Sequence, residues 1–143
     1  IKEYINLNKP LLGICLGFQL LFDYSEEFIY TQGLGIIKGH VKNLTSFGNI
    51  DSVPHAGWNK INSSHKNSML GEFDNKYFYF VHSYAALPEK KEDIFFTTKI
   101  GNFKFCSSIK INNIIATQFH PEKSGILGLK MMRKIIDGGE AIE

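Results

Sequence analysis

Apolar residues recur along this chain at two different spacings, and the alternation between those spacings predicts its elements. Pro10-Leu11-Leu12-Gly13-Ile14 is a short apolar run opened by proline, the pattern of a buried parallel strand. After Cys15, the apolar residues Leu16, Leu20 and Leu21 fall at helical spacing, with Asp23, Glu26 and Glu27 beyond them. The segment therefore reads as strand, turn and helix, with the cysteine at the turn. Strand-length runs rich in β-branched and aromatic residues follow at 35–44, 77–82, 94–100, 103–109 and 114–119. Gly101-Asn102 reads as a hairpin turn between two of them. Ser124 to Asp137 returns to helical spacing, with Ile126, Leu129, Met132 and Ile136 inside, Lys130, Arg133 and Lys134 outside, and Gly138-Gly139 as the stop. Ile1 to Ile5 reads as the end of a helix. Helices flanking a strand-rich middle predict an α/β domain layered around a mixed sheet.

Composition narrows the function classes. A chain of 143 residues, 43% hydrophobic and 21% charged, fits one globular domain with one core. Its 16 basic and 14 acidic residues are interspersed, without the clustered cationic face that nucleic acid requires. No apolar run approaches the roughly 18–20 residues that span a bilayer, and no secretory leader pattern is present. Two cysteines, Cys15 and Cys106, are too few for a disulfide scaffold and point to a reducing cytoplasm. His55, His82 and His120 lack metal-ligand spacing, so neither a metal nor another cofactor is expected.

Two short motifs carry chemistry. In Gly13-Ile14-Cys15-Leu16-Gly17 the glycines stand two residues either side of the cysteine, as in the strained strand-to-helix elbow that presents a nucleophile. Side chains at both flanking positions are expected to clash. A helix N-terminus favours thiolate over thiol, and the Leu16 N–H is placed to stabilise an oxyanion. Taken alone, the same pattern also suits a buried structural cysteine between two packing glycines. In Gln118-Phe119-His120-Pro121-Glu122-Lys123-Ser124, residues two apart in extended chain share a side, and Pro121 fixes the intervening φ. Glu122 can then hold one tautomer of His120 and stabilise its imidazolium, the orienting role in a triad. Alone, a His-x-Glu pair is more often a surface feature. The nucleophile-then-base order joins the two motifs into one reading.

Gly-Ile-Cys-Leu-Gly-Phe-Gln at 13–19 with Gln-Phe-His-Pro-Glu-Lys-Ser at 118–124 resembles the class I (triad) glutamine amidotransferases. The stretches at 33–37, 53–59 and 79–84 are similar to the glutaminase subunit of imidazole glycerol phosphate synthase. The resemblance implies a three-layer α/β domain over 1–143 with a mixed central sheet. It also implies an N-terminal truncation that leaves out the family's opening strand–helix units and its Pro-Gly-rich oxyanion strand. By that resemblance Cys15 is the nucleophile, His120 the general acid/base and Glu122 the orienting carboxylate. Leu16, Gln19, Glu27, Ser83 and Tyr84 would line the site for L-glutamine. Trp58, in a loop, with Asn59 and Lys123, would face a (β/α)₈-barrel cyclase partner that receives the ammonia for histidine biosynthesis. Ala56 departs from the family, which has Met there, and the 39–49 stretch is unusual. An ammonia donor for amidino groups on bacterial surface sugars stays open as an alternative. So do a cysteine peptidase or thiol hydrolase and an inactive binding fragment.

Overall fold

In the computed structural model of the chain, which describes residues 1–48, 50 and 52–138, the first apolar run forms β1 (Leu11–Ile14). It lies parallel to β11 (Ile114–Thr117), with Leu11 opposite Ile114 and Ile14 opposite Thr117. The sheet continues through β10 (Phe103–Ile111), β8 (Tyr84–Pro88), β4 (Ile37–Asn43), β2 (Phe22–Ser25) and β3 (Thr31–Gln32). The β1–β11 and β2–β4 pairs are parallel and the others antiparallel, so the sheet is mixed. β9 (Ile94–Ile100) pairs with β10 and carries the short β6 (Asn62–Ser63). The β9–β10 hairpin turns at Gly101, whose φ of +55° is the left-handed conformation the Gly-Asn pair predicts. β5 (His55–Lys60) and β7 (Tyr77–His82) form a separate antiparallel ribbon. The helices are α1 (Lys2–Asn6), α2 (Leu16–Gln19) and α3 (Gly125–Gly138).

Alternation along the strands divides the core between two faces. Ala85, Phe105 and Ile115 pack with Phe78 and Phe80 of the ribbon, Phe119 and Met131 of α3. Ala86, Cys106, Ile114 and Ala116 pack with Phe18 of α2 and with Leu21, Phe22, Ile37 and Val41. The ribbon and α3 thus cover one face and α2 the other, giving three layers. Each fully buried phenylalanine contributes roughly 1.5–3 kcal/mol of transfer free energy.

Several expectations need correction. The helix after Cys15 lasts one turn, and Asp23 lies on β2 rather than beyond a helix. The carbonyls that a longer helix would use internally are taken elsewhere. Leu20, Leu21, Phe22 and Asp23 accept instead from the N–H groups of Leu34, Ile36 and Ile37, Gly35 and Gly33 respectively. The segment containing Trp58 is strand β5, not a loop. β8, β2, β3 and β6 were not read from the sequence. α3 exists as expected but turns a different side inward: Met131 is buried and Ile135 packs against the core, while Ile126, Leu129 and Ile136 are exposed. Gly128 sets that rotation, because a Cβ there would meet the Pro121 carbonyl oxygen at 1.8 Å, so this side alone can press so closely on the preceding turn. Lys130 and Lys134 bond Glu72 from outside. The Gly139 half of the expected stop lies outside the described residues.

Candidate active site

Cys15 follows directly on β1 and caps α2, with φ 51° and ψ −103°, a strained conformation for a residue with a Cβ. Its N–H donates to the Thr117 carbonyl at 2.7 Å, extending the β1–β11 pairing past Ile14. Crowding explains one flanking glycine: a Cβ on Gly13 would sit 3.0 Å from the Gly17 carbonyl oxygen and 3.1 Å from the Ala116 Cβ. It does not explain the other. A Cβ on Gly17 meets nothing within 4 Å, so the expected clash holds on one side of the cysteine only.

His120 lies three residues beyond the end of β11, at the same sheet edge as Cys15. Its backbone is pinned on both sides, its N–H donating to the Tyr79 carbonyl at 2.8 Å and its carbonyl accepting from Ser124 Oγ at 2.6 Å. The Glu122 carboxylate meets Nδ1 at 2.7 Å. With Nδ1–H donated to that carboxylate, Nε2 carries the lone pair, and this atom is buried with no hydrogen-bond partner. No bond joins it to Cys15 in this conformation. The Cys15 thiol faces the Val81 carbonyl at 3.8 Å and accepts from Gln118 Nε2 at 3.6 Å.

The electrostatics differ from the expectation of a resting thiolate. Burial pushes the Cys15 thiol above its ordinary 9.0, against the pull of the Leu16 N–H and the Gln118 amide. The negative charge of Glu122 pushes it up too, while Lys123 draws it down. The reason is geometric: one turn of helix has almost no dipole to offer, whereas desolvation acts in full. Burial thus favours the neutral thiol over the thiolate at Cys15.

A cleft of about 680 Å³ opens beside the nucleophile, and Leu16, Gln19, Glu27, Ser83 and Tyr84 all line it. All five residues expected around a substrate thus meet at one cavity with Cys15. Ser83 is held by its carbonyl, which accepts from Leu44 N–H. Glu27 N–H is anchored on Ser25 Oγ, and Gln19 is fixed by two bonds from Nε2, to the Tyr84 carbonyl at 3.1 Å and to Gln118 Oε1 at 2.9 Å. Gln118, fully buried and touching the sulfur, is the residue that sequence reasoning missed. Its signal was a second polar residue, next to Thr117, just past the apolar run Ile114–Ala116 and before Phe119.

The three residues expected at a partner surface separate. Trp58 is 53% exposed on the outer face of β5, edge-on to Tyr79 of the neighbouring strand. Lys123 is exposed in the single turn of 3₁₀ helix after His120, which packs on β7. Asn59 occupies the opposite face of β5 and donates to the Lys99 carbonyl at 3.3 Å. Among the described residues no group of three or more potential metal ligands gathers, and no helix is long and apolar enough to cross a membrane.

Comparison with known proteins gives a consistent picture. The sequence model of a family described as "Glutamine amidotransferase class-I" matches residues 1–136. The imidazole glycerol phosphate synthase subunit HisH 1 of Methanococcus maripaludis is 46% identical over 141 residues, 96% of this chain and 68% of its own length. The chloroplastic imidazole glycerol phosphate synthase hisHF of Arabidopsis thaliana is 46% identical over 136 residues, 94% of this chain but 23% of that longer protein. A crystal structure of a glutamine amidotransferase from Thermotoga maritima superposes with a TM-score of 0.62 over 97% of this chain and 50% of its own, at 19% identity, which supports the fold.

Proposed function

Since this chain belongs to the class I glutamine amidotransferase family, we propose that it is the glutaminase portion of an imidazole glycerol phosphate synthase, releasing ammonia from L-glutamine for a cyclase partner. The observation that carries the reading is the pairing of β1 with β11. It brings the ends of two parallel strands together, one bearing a cysteine in a strained turn and the other a histidine bonded to a carboxylate.

The chemistry follows from those groups. His120 Nε2 takes the Cys15 proton, and the sulfur forms a bond to the side-chain amide carbon of glutamine while the carbonyl electrons move to oxygen. The Leu16 N–H stabilises that oxyanion. On collapse, the C–N bond breaks, the imidazolium returns its proton to the departing nitrogen, and ammonia leaves a glutamyl thioester. Water then attacks the thioester carbon and gives its proton to Nε2. The second collapse expels sulfur, which recovers the proton, and glutamate departs. Glu122 keeps the Nδ1–H tautomer and balances the imidazolium throughout. Gln19, Glu27, Ser83 and Tyr84 hold the substrate in the cleft.

Ammonia released into bulk water is protonated and lost as a nucleophile, so delivery requires a docked acceptor. The outer face of the β5–β7 ribbon, with Trp58 and Tyr79, and the nearby Lys123 supply a docking surface for a (β/α)₈-barrel subunit. Two relatives named as imidazole glycerol phosphate synthase, one of them as its HisH 1 subunit, favour this acceptor over an amidino-sugar pathway. Two unpaired thiols fit a cytoplasmic setting. The test is glutamate release by the complete complex with its barrel partner. Wild type should turn over glutamine only with the partner present, and Cys15→Ala should abolish turnover. Equal rates without the partner, or an active Cys15→Ala, would refute the proposal.

A further inference from the structure

We infer that His55 and His82 are positioning residues for the glutamine cleft, forming a buried hydrogen-bonded pair that holds the Tyr84 carbonyl and, through it, the orientation of Gln19. This rests on the preceding reading of the cleft as a glutamine site. His55 Nδ1 and His82 Nε2 are 2.9 Å apart, and His82 Nδ1 lies 2.7 Å from the Tyr84 carbonyl oxygen. A carbonyl only accepts, so Nδ1 of His82 must carry its hydrogen. In a neutral ring that makes Nε2 the acceptor, and the donor to it is Nδ1–H of His55. His55 therefore selects the one tautomer of His82 that can hold Tyr84.

Burial keeps both rings neutral. His82 is pushed down to about 4, chiefly by desolvation, against the bond to the Tyr84 carbonyl. His55 is lowered for the same reason, with Asn59 the one side chain pulling the other way. Both rings sit in an aromatic box: His82 is 5.3 Å from the Phe105 centroid and 5.8 Å from Phe80, and His55 is 5.2 Å from Phe80.

The Tyr84 oxygen also accepts from Gln19 Nε2, so both its lone pairs are used. Gln19 spends its two amide hydrogens on Tyr84 and on Gln118, which leaves its own Oε1 as the acceptor for a donor group of the substrate. Gln118 completes the chain to Cys15 Sγ. One continuous set of bonds thus runs from His55 of β5 to the Cys15 sulfur. His82 also lines the cleft, whereas His55 does not and acts on it only through His82.

Steady-state glutaminase kinetics on the complete complex test this. His82→Phe keeps the aromatic packing and removes the bond to Tyr84. It should raise KM for glutamine about 3- to 10-fold, the scale of one neutral hydrogen bond, with kcat changed less. His82→Asn, whose amide nitrogen can replace Nδ1, should restore KM to within about twofold. The single Phe variant leaves the His55 N–H unpaired, so His55→Phe/His82→Phe separates stability from positioning. Its Tm should match wild type while KM stays raised, because replacing both partners by apolar groups is nearly neutral for stability. Nitrogen-15 imidazole shifts should show the Nδ1–H tautomer on both residues. An unchanged KM in His82→Phe, no rescue by Asn, or Nε2–H on His82 would overturn the inference. A wild-type complex inert toward glutamine would instead overturn the reading of the cleft, and the tautomer measurement would still decide this one.

Discussion

Two histidine environments in this molecule look alike at one level and opposite at another. Among the described residues, only His120 Nε2 and His55 Nε2 are buried side-chain nitrogen or oxygen atoms without a hydrogen-bond partner. His120 stands at the edge of a parallel strand pair with a carboxylate on its other nitrogen. His55 lies under the ribbon with another imidazole on its other nitrogen and phenylalanines around it. A carboxylate on the first ring fits the acid–base role proposed for it; the aromatic box makes the second pair resist protonation. The neighbour on the far nitrogen decides which role an imidazole has.

The largest expected effect sharpens that contrast. His120→Ala should lower kcat by about 10²–10⁴ with a small change in KM, measured on the complete complex, whereas the His55 and His82 variants act mainly through KM. The second concerns acid stability. His82 is held near 4 in the fold and returns to about 6.5 on unfolding, so the unfolded chain binds the extra proton between those values. Stability should be complete above about pH 6.5 and fall as pH drops toward 4, by up to about 3 kcal/mol from this residue. Urea midpoints across that range check it; His82→Phe should flatten the slope relative to wild type, and an unaltered slope would contradict the buried neutral pair.

Glu122→Gln should cost about 10- to 100-fold in kcat, the worth of a hydrogen bond to a charged group, without altering glutamine affinity. The smallest effect concerns the sulfur. Alkylation of Cys15 by iodoacetamide should have its midpoint above pH 9, since burial raises the thiol. Gln118→Met removes a donor to the sulfur, so labelling at fixed pH should slow by a few-fold. Faster labelling in that variant would mean the Gln118 amide does not favour the thiolate.

The parts legible in the sequence are those governed by local pattern. The apolar run Leu11–Ile14 is a parallel strand as its pattern predicts, though only Gly13 of the four is fully buried, with Leu12 packing on one core cluster and Leu11 on the other; the Gly101 turn needs a positive φ that glycine supplies. His120 and Glu122 are separated by one proline, so their contact is local as well. What sequence could not show depends on chain far away. Leu16, Leu20 and Leu21 have helical spacing, yet the helix stops because residues 33–37 capture the carbonyls it would need. α3 is legible as a helix but not in its rotation, which Gly128 against Pro121 decides. The histidine pair left a partial trace: His82 falls on the same side of β7 as Phe78 and Phe80, the buried side. That His55 lies opposite it is a matter of register between β5 and β7.

The junction of β1 with β11 ties the beginning of this chain to a segment about a hundred residues later. During synthesis the cysteine emerges long before the strand that leads to its base, and closing so long a loop is a late, entropically costly event. On the proposed reading, the nucleophile can therefore meet its base only once these two distant strands have paired.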